Sequence, residues 1–331
     1  MAARERVLGS LLGLAIGDAL GMPVEGWSRA AIADRYGWID RYLPRQGHDE
    51  TVLLSAGEFT DDTEVALCHV EGLLGGDGQV EPETVGRRLI RLARGQSGWL
   101  LDPTTSAAIA RMEASDRFED GVALPGPPSG AVATQVVPVA LLQSLAAFVP
   151  EVFVREVTRA ARLTHADPES INGALAIAYA VRLLVSEDVP PPDLIEVVAS
   201  FVDQDRVARR LRLAAHLAMT GGSRARDLGN LAELGTSLDV AQCVPAALYA
   251  FVTHPEDFVE AVLTAVNTGG DTDTVGALVG ALVGAYVGAS AIPTGLVDGL
   301  EGRMYILVAG PGLYRLALSR AGRFLELHQP A

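Results

Sequence analysis

The distribution of apolar and polar positions predicts a chain built almost entirely from helices. Apolar residues recur at helical spacing in successive segments bounded by capping residues, prolines and glycines, and alternation of the strand type is hard to find. The pattern therefore predicts an all-α fold, with helices over residues 4–20, 61–74, 83–94, 104–112, 131–148, 150–163, 168–185, 193–202, 206–219, 239–252, 256–266, 272–288 and 295–308.

The most apolar segment, residues 275–292, indicates a helix that is buried on all sides. It contains no charged residue and is about long enough to span a bilayer, but acidic residues flank both ends and no positive cluster lies nearby. Its glycines, Gly276, Gly280, Gly284 and Gly288, recur every four residues and form a stripe that lets another helix approach closely. We therefore expect the central helix of a globular fold rather than a membrane span.

Three consecutive prolines, Pro190 to Pro192, raise the question of a linker between two domains. Two acidic motifs, described below, lie on opposite sides of these prolines. If both motifs contribute to one site, the two halves of the chain must fold together. We therefore predict one compact domain over residues 1–331, arranged around the buried central helix.

Composition and charge narrow the possible classes of function. The chain has 331 residues, 49% of them hydrophobic, and a mean hydropathy of +0.25, which is ample for a sizeable core. A net charge of −15 argues against binding to nucleic-acid phosphates and to anionic membrane surfaces. No secretory signal is visible, and Cys68 and Cys243 lie in apolar helical patterns, so we expect two buried thiols in a reducing cytoplasm.

The first acidic motif is Thr60-Asp61-Asp62-Thr63-Glu64, which opens a predicted helix. A capped helix start explains one threonine and one acid, because side-chain oxygens there accept hydrogen bonds from free backbone N–H groups. The remaining carboxylates repel each other and lose hydration at the edge of a core unless a cation offsets the cost. Aspartate and threonine oxygens are hard ligands, so the motif indicates magnesium, manganese or calcium rather than zinc.

The second acidic motif runs from Gly269 to Thr274 and opens the central helix. Its two glycines permit backbone conformations closed to other residues and would let a ligand come near the main chain. Asp271 and Asp273 can converge only if Asp271 lies outside the helix, which is typical of a coordination loop. An EF-hand is excluded because residues 275–278 lack the acids that its later positions require. The motif therefore predicts a cation site.

Two further residues are candidates that the sequence supports less strongly on their own. Glu25 lies in a loop after Pro23, where its carboxylate can swing over a site, although a lone loop acid is usually solvated. Asp18, at the end of the first predicted helix, is expected to hold a turn rather than to react. His165 precedes a helix that starts at Pro168, and a helix N-terminus can hold phosphate groups.

Taken in this order, the motifs resemble those of the ADP-ribosylglycohydrolase family. The resemblance covers residues 4–310, nearly the whole chain. The matching segments are residues 13–21 with Pro23 and Glu25, residues 59–64, residues 164–168, and residues 267–274 with Gly280, residues 284–286 and Gly288.

The resemblance implies an orthogonal all-α globule with two divalent cations, Mg²⁺ or Mn²⁺, in a central cleft. It implies two groups of metal ligands, the first being Thr60, Asp61 and Asp62 and the second Asp271, Asp273 and Thr274. Glu25 matches a mobile acidic residue beside the cations, and the catalytic residues implied are Glu25 and Asp62. The substrate-binding residues implied are His165, Ser129, Gly130, Asn267, Gly269 and Gly270.

The implied activity is hydrolysis of the glycosidic bond that links ADP-ribose to a protein side chain or to a small acceptor. A carboxylate can activate water or protonate the leaving group, and paired cations can hold adjacent ribose hydroxyls. The implied partner is an ADP-ribosylated protein or a small ADP-ribosyl compound. We expect no nucleic acid and no membrane, and a monomeric protein.

One segment departs from the family pattern. Members often carry Asn-Gly and then Met-Arg before a proline in the phosphate-binding loop, whereas Ser129 to Pro138 here lacks the asparagine and the arginine. The tryptophan that often follows the late Ile292-Pro293 pair is also absent. Two alternatives therefore stay open: a metal-dependent hydrolase of another ADP-ribosyl or nucleotide-like small molecule, and a non-catalytic relative that binds ADP-ribose or has a structural role.

Overall fold

The structure is a computed structural model, which describes residues 3–47, 49–118, 124–186 and 189–323. Two short strands, β1 (Arg45–Gln46) and β2 (Val52–Leu54), pair antiparallel, and the other regular elements are helical. The helices are α1 (Ala3–Gly21), α2 (Arg29–Tyr36), α3 (Asp61–Gly75), α4 (Pro82–Arg94), α5 (Pro103–Ser115), α6 (Ala131–Gln135), α7 (Val137–Gln143), α8 (Pro150–Ala161), α9 (Pro168–Ser186), α10 (Pro191–Phe201), α11 (Arg206–Ala218), α12 (Arg224–Leu234), α13 (Val240–Thr253), α14 (Phe258–Val266), α15 (Thr272–Val287), α16 (Thr294–Gly299) and α17 (Arg303–Arg320), with 3₁₀ turns at Met22–Val24 and Ala289–Ala291. The prediction of an all-α fold is confirmed.

Two of the predicted helices are wrong in their extent. The helix expected over residues 131–148 is divided into α6 and α7, because Pro138 has no N–H to continue the helical bonding and the second helix ends at Gln143. The helix expected over residues 295–308 is also two helices. The chain breaks at Gly302, which has φ +70°, and α17 starts one residue later.

The centre of the fold is the antiparallel pair of α1 and α15. Gly13 and Gly17 of α1 lie against Gly280 and Gly276 of α15, and a Cβ atom on Gly280 would lie 1.9 Å from the carbonyl oxygen of Gly13. The two backbones therefore touch along a stripe where neither helix has side chains. The prediction that the glycine stripe lets another helix approach closely is confirmed, and its partner is a matching stripe on α1.

Both central helices are enclosed by the rest of the fold. By length and composition, residues 3–24 could cross a membrane, but 94% of the apolar window is buried inside the protein. In α15 every residue except Tyr286 is buried. Buried helices α9, α13 and α14 pack around this pair. Cys243 is fully buried, as expected, whereas Cys68 is only partly buried. The single domain over residues 1–331 stays a prediction.

Candidate functional site

The last turn of α1 fixes the start of α3 through Asp18. The Asp18 carboxylate accepts hydrogen bonds from the Thr60 N–H at 2.9 Å and 3.1 Å, from the Thr63 N–H at 3.1 Å and from the Thr63 hydroxyl at 2.6 Å. Asp18 is fully buried, and this burial raises the pKa of its carboxyl to about 6. Asp18 was expected to hold the turn after α1, whereas the hydrogen bonds of its carboxylate hold the first acidic motif.

Within that motif the two aspartates have different partners. Thr60 is the N-cap of α3, and its hydroxyl accepts a hydrogen bond from the Asp62 N–H at 3.4 Å. The Asp61 carboxylate accepts the backbone N–H of Asp102 at 3.0 Å. Asp62 points inward and is only 5% exposed. The motif therefore directs at least one carboxylate into the core, as the sequence indicated.

The second acidic motif has the geometry predicted for it. Asp271 lies one residue before α15, outside the helix, and Asp273 lies in its first turn, where its carboxylate accepts the Thr274 N–H at 3.0 Å. The Oδ2 atom of Asp271 is buried and has no hydrogen-bond partner among the described residues. A buried carboxylate oxygen without a donor is costly, and it fits a position where a cation binds.

The two motifs meet at Asp62. Its Oδ2 atom accepts a hydrogen bond from the Thr274 hydroxyl at 2.8 Å, although the two residues are 212 positions apart in the sequence. Its Oδ1 atom accepts the Thr134 hydroxyl of α6, also at 2.8 Å. Thr134 is a site residue that the sequence reasoning missed, because nothing in the apolar pattern around it indicates a polar partner.

The glycine pair lies against another part of the chain, and the predicted approach of a ligand to it stays a prediction. Gly269 and Gly270 have φ values of +82° and +88°, as their predicted freedom requires. The Gly270 N–H donates to the Trp27 carbonyl at 2.9 Å, and the Gly26 N–H donates to the Gly270 carbonyl at 2.8 Å. The backbone that comes near these glycines is therefore the chain's own loop, and this loop carries Glu25.

Glu25 is thereby brought to the second motif. One carboxylate oxygen from each of Glu25, Asp271 and Asp273 lies within 4.8 Å of the others. Burial raises the pKa of Asp271 to about 7, and the negative charge of Glu25 contributes to the increase. Burial, followed by repulsion from Glu25 and Asp271, raises the pKa of Asp273 well above its ordinary value.

The carboxylates of the first motif show the same response. Burial raises the pKa values of Asp61 and Asp62 well above the ordinary value, with further contributions from Asp102 to Asp61 and from Asp61 to Asp62. Carboxyl groups are thus concentrated where water is excluded, and their ionised forms are unfavourable without a cation. Such a cluster, with oxygen ligands and the orphaned Oδ2 atom of Asp271, fits a divalent cation such as Mg²⁺ or Mn²⁺.

A consequence of these shifts is that the metal-free protein should lose stability as the pH rises from 6.5 to 8. An acid whose pKa is higher in the folded than in the unfolded protein lowers the stability of the fold as the pH rises from the unfolded value through the folded value. For Asp271 those values are 3.8 and about 7, and Asp61, Asp62 and Asp273 shift in the same direction. We expect a net loss over this range, to which Asp271 alone contributes on the order of 1 kcal/mol.

Urea unfolding at pH 6.5 and pH 8 measures this loss, and saturating Mn²⁺ at pH 8 should reverse it. Burial lowers the pKa of His69 from 6.5 to about 4, so this histidine acts with the opposite sign mainly below pH 6.5. A metal-free protein that gains stability between pH 6.5 and pH 8 would contradict the expectation.

His165 lies at the edge of the same polar region. Its Nδ1 atom is 2.9 Å from the Thr164 hydroxyl, and its Nε2 atom is 3.9 Å from Oδ1 of Asp102. The ring is 1% exposed, and burial lowers its pKa. Nε2 has no hydrogen-bond partner among the described residues, so it remains available to a ligand. The substrate-binding role of His165 stays a prediction.

Two other predicted binding residues, Ser129 and Gly130, use their backbone N–H groups inside the fold. The Ser129 N–H donates to the Ser170 hydroxyl at 2.9 Å, and the Gly130 N–H donates to the Leu238 carbonyl at 2.7 Å. Both backbone donors expected for a ligand are therefore already occupied. The departure of this loop from the family pattern thus coincides with internal hydrogen bonding.

Asn267 holds a neighbouring loop. Its Oδ1 atom accepts the Ile39 N–H at 2.8 Å, and its Nδ2 atom donates to the carbonyls of Ile39 at 3.0 Å and Leu263 at 2.8 Å. Both amide hydrogens are donated within the protein, so Asn267 supports the loop at Ile39, and its predicted contact with substrate stays a prediction. The partner loop is more than 200 residues away in sequence, which is why the motif alone did not indicate it.

Asp102 and Arg45 are site residues without a prediction. Asp102 caps α5 by accepting the N–H groups of Thr104 and Thr105, donates its own N–H to Asp61, and faces His165. Its Asp-Pro sequence identified a helix start and nothing more. Arg45 of β1 forms an ion pair with Glu25.

The chain is similar to known proteins over nearly its whole length. A family model described as ADP-ribosylglycohydrolase matches residues 1–327. The chain is 31% identical to YegU of Escherichia coli (strain K12) over 317 residues, covering 90% of this chain and 92% of that protein. It is 29% identical to the ADP-ribosyl-[dinitrogen reductase] glycohydrolase of Rhodospirillum rubrum over 312 residues, covering 90% of each.

The fold is shared as well. A solved structure described as an ADP-ribosylglycohydrolase-related protein complex superposes with a TM-score of 0.76 at 28% identity, covering 95% of this chain and 99% of that one. The similarity thus extends across both acidic motifs and the helices that join them. By sequence and by fold, the chain belongs to the ADP-ribosylglycohydrolase family.

Proposed function

We propose that this protein uses divalent cations to hydrolyse the glycosidic bond between ADP-ribose and a protein side chain or small acceptor. Family membership supports hydrolysis of an ADP-ribosyl linkage. The observation that carries the proposal is the direct hydrogen bond between Asp62 and Thr274, which joins the two acidic motifs beside Glu25. Carboxylates collected in this way, largely shielded from water, serve no packing purpose.

The cations would be held by oxygen atoms of both motifs. The proposed ligands are Thr60, Asp61, Asp62, Asp271, Asp273 and Thr274, and the proposed ions are two Mg²⁺ or Mn²⁺. When bound, such ions orient water and hold adjacent hydroxyls of a sugar.

The chain's own residues supply the proton transfers. Glu25 is a carboxylate at the boundary of the site, with its side chain 36% exposed, so it can exchange protons with solvent. A carboxylate in that position can take a proton from water or give one to the leaving group. The N-terminus of α9, next to His165, can contribute to holding the diphosphate in a chain whose overall charge is negative.

A second candidate function keeps the site and changes the acceptor. The Rhodospirillum rubrum relative is named for a protein substrate, dinitrogen reductase. In the present chain, however, the N–H groups of Ser129 and Gly130 are bonded internally. This favours a distinct mode of binding for the distal part of ADP-ribose, and with it a small ADP-ribosyl or nucleotide-like substrate.

The test is release of ADP-ribose from arginine-linked and serine-linked ADP-ribosyl peptides and from a small ADP-ribosyl compound. We expect release from at least one of them with Mg²⁺ or Mn²⁺, loss of release on chelation, and recovery when the ion is restored. Release that survives chelation would contradict the role of the cations. If wild-type protein binds ADP-ribose but releases none from any acceptor, the non-catalytic reading is correct.

A further inference from the structure

The Glu25 carboxylate lies between two opposing electrostatic environments. On one side are the oxygens of Asp271 and Asp273, within 4.8 Å. On the other side is Arg45, whose Nη1 atom donates to Oε2 of Glu25 at 2.5 Å. The aspartates repel Glu25 while the guanidinium attracts it, so the position of its carboxylate depends on Arg45 as long as no cation offsets the repulsion.

The backbone at Glu25 leaves only the side chain free to respond. The Gly26 N–H donates to the Gly270 carbonyl at 2.8 Å, and the Trp27 N–H donates to the Val24 carbonyl at 3.0 Å. An isolated bridge pairs Ser28 with the glycine preceding Gly270. Because the main chain is held on both sides, rotation of the Glu25 side chain decides which way its carboxylate points.

Arg45 is itself held in place. It lies in β1 opposite Leu54 of β2, and its guanidinium carbon is 5.9 Å from the centroid of the Trp99 ring. A cation–π contact at this distance helps to orient the guanidinium group. Trp99 lies three residues before Asp102, whose N–H donates to Asp61. The Arg45 side chain is 23% exposed, so its ion pair is only partly screened by solvent.

We propose that Arg45 is a positioning residue, which holds the Glu25 carboxylate at the edge of the acidic cluster and keeps it from becoming a further cation ligand. The inference rests on the proposed function in one respect: the position at the edge is the one in which Glu25 can exchange protons with solvent and with the reacting groups. Released from Arg45, Glu25 is drawn to a bound cation, which strengthens cation binding and removes Glu25 from proton transfer.

The test uses the metal-free full-length chain, titrated with Mn²⁺ by calorimetry, together with the kcat and KM of ADP-ribosyl release. For Arg45→Met we expect the Kd for Mn²⁺ to fall by about 3- to 10-fold and kcat to fall by about 10-fold or more. Arg45→Gln carries the same expectation and serves if Arg45→Met fails to fold. Arg45→Lys, which keeps the charge, should have a Kd for Mn²⁺ and a kcat close to the wild-type values. A purely structural role of Arg45 would weaken Mn²⁺ binding, and that result would overturn the proposal.

A double-mutant cycle separates action through Glu25 from a general charge effect. In the Glu25→Gln background, Arg45→Met should change the Kd for Mn²⁺ by less than about 2-fold, because the group that Arg45 positions is gone. A change as large as in the wild-type background would show that Arg45 acts on the cluster without Glu25. The matched control is Arg88→Met: its side chain is also 23% exposed and pairs with Glu71 at 2.8 Å, and it should leave the Kd unchanged.

The two proposals fail in different ways. If the wild type releases no ADP-ribose from any acceptor, the proposed function fails, while the calorimetric cycle still decides the role of Arg45. If release is normal and the Kd for Mn²⁺ is the same with and without Arg45, the inference about Arg45 is wrong and the proposed function stands.

Discussion

Replacement of Asp62 by asparagine is expected to lower kcat at least ~10³-fold while raising the melting temperature of the metal-free protein. Changing a group that merely supports a metal ligand typically costs 10- to 100-fold, and Asp62 is proposed to bind the cation directly. It also accepts hydrogen bonds from the hydroxyls of Thr134 and Thr274, and the second of these bonds joins the two acidic motifs. Loss of the Asp62 charge therefore removes a proposed ligand at the centre of the cation site.

The gain in stability comes from the removal of a buried carboxyl group whose ionised form is unfavourable in the fold. Burial, then repulsion from Asp61, Asp18 and Asp271, raises the pKa of Asp62 well above its ordinary value, so the ionised form is unfavourable in the fold. An asparagine of nearly the same shape removes the charge and keeps hydrogen-bonding capacity toward Thr134. We therefore expect the metal-free variant to be more stable than the wild type at pH 8.

Thermal unfolding without metal, Mn²⁺ calorimetry and the release assay together measure the effect. Asp298→Asn is the control, because Asp298 lies in α16 with its side chain 69% exposed and should change none of the three quantities. An Asp62→Asn protein that keeps cation-dependent turnover, or that unfolds more easily without metal, would show that Asp62 is not at the centre of the site.

The substitution Gly280→Ala is expected to destabilise the protein by about 3 kcal/mol. The new Cβ atom would lie 1.9 Å from the Gly13 carbonyl oxygen, so α1 and α15 must move apart. Their ends carry Asp18 and Asp273, and the separation should therefore also weaken Mn²⁺ binding. Urea unfolding and calorimetry measure the two losses.

The matched control makes the same chemical change where there is space. Gly229 lies in α12, is exposed, and has no atom within 4 Å of the Cβ position, so Gly229→Ala should stabilise the helix by about 0.5–1 kcal/mol. Opposite signs for the two substitutions are the expected result. A neutral Gly280→Ala would mean that the close approach of the two backbones is unimportant for stability.

Local signals in the sequence predicted most of the helices, because capping residues and apolar periodicity act over a few residues. They failed where that signal is weak: α2 buries only Ile32, and the break at Gly302 depends on one positive φ value. The position of Asp271 before α15 was predictable for the same local reason. The proximity of Asp271 to Glu25 was less predictable from local signals, because it depends on chain segments more than 200 residues apart.

The roles of Asn267 and the glycine pair show most clearly what the sequence pattern could not predict. A polar side chain or a glycine in a motif indicates that something approaches closely, whether a ligand or another part of the chain. For Asn267 the neighbour is the backbone at Ile39, and for Gly270 it is the backbone at Trp27. These partners are set by tertiary packing, and no pattern within the motif contains them.

The pairing of α1 with α15 has a consequence for synthesis of the chain. About 250 residues separate the end of α1 from the start of α15, so the apolar helix made first waits for its partner. At about 5–20 residues per second, this wait lasts on the order of 10–50 s. During that time the glycine-lined face of α1 has no native cover. The nascent chain should therefore depend on chaperones, and fragments that end before residue 272 should aggregate.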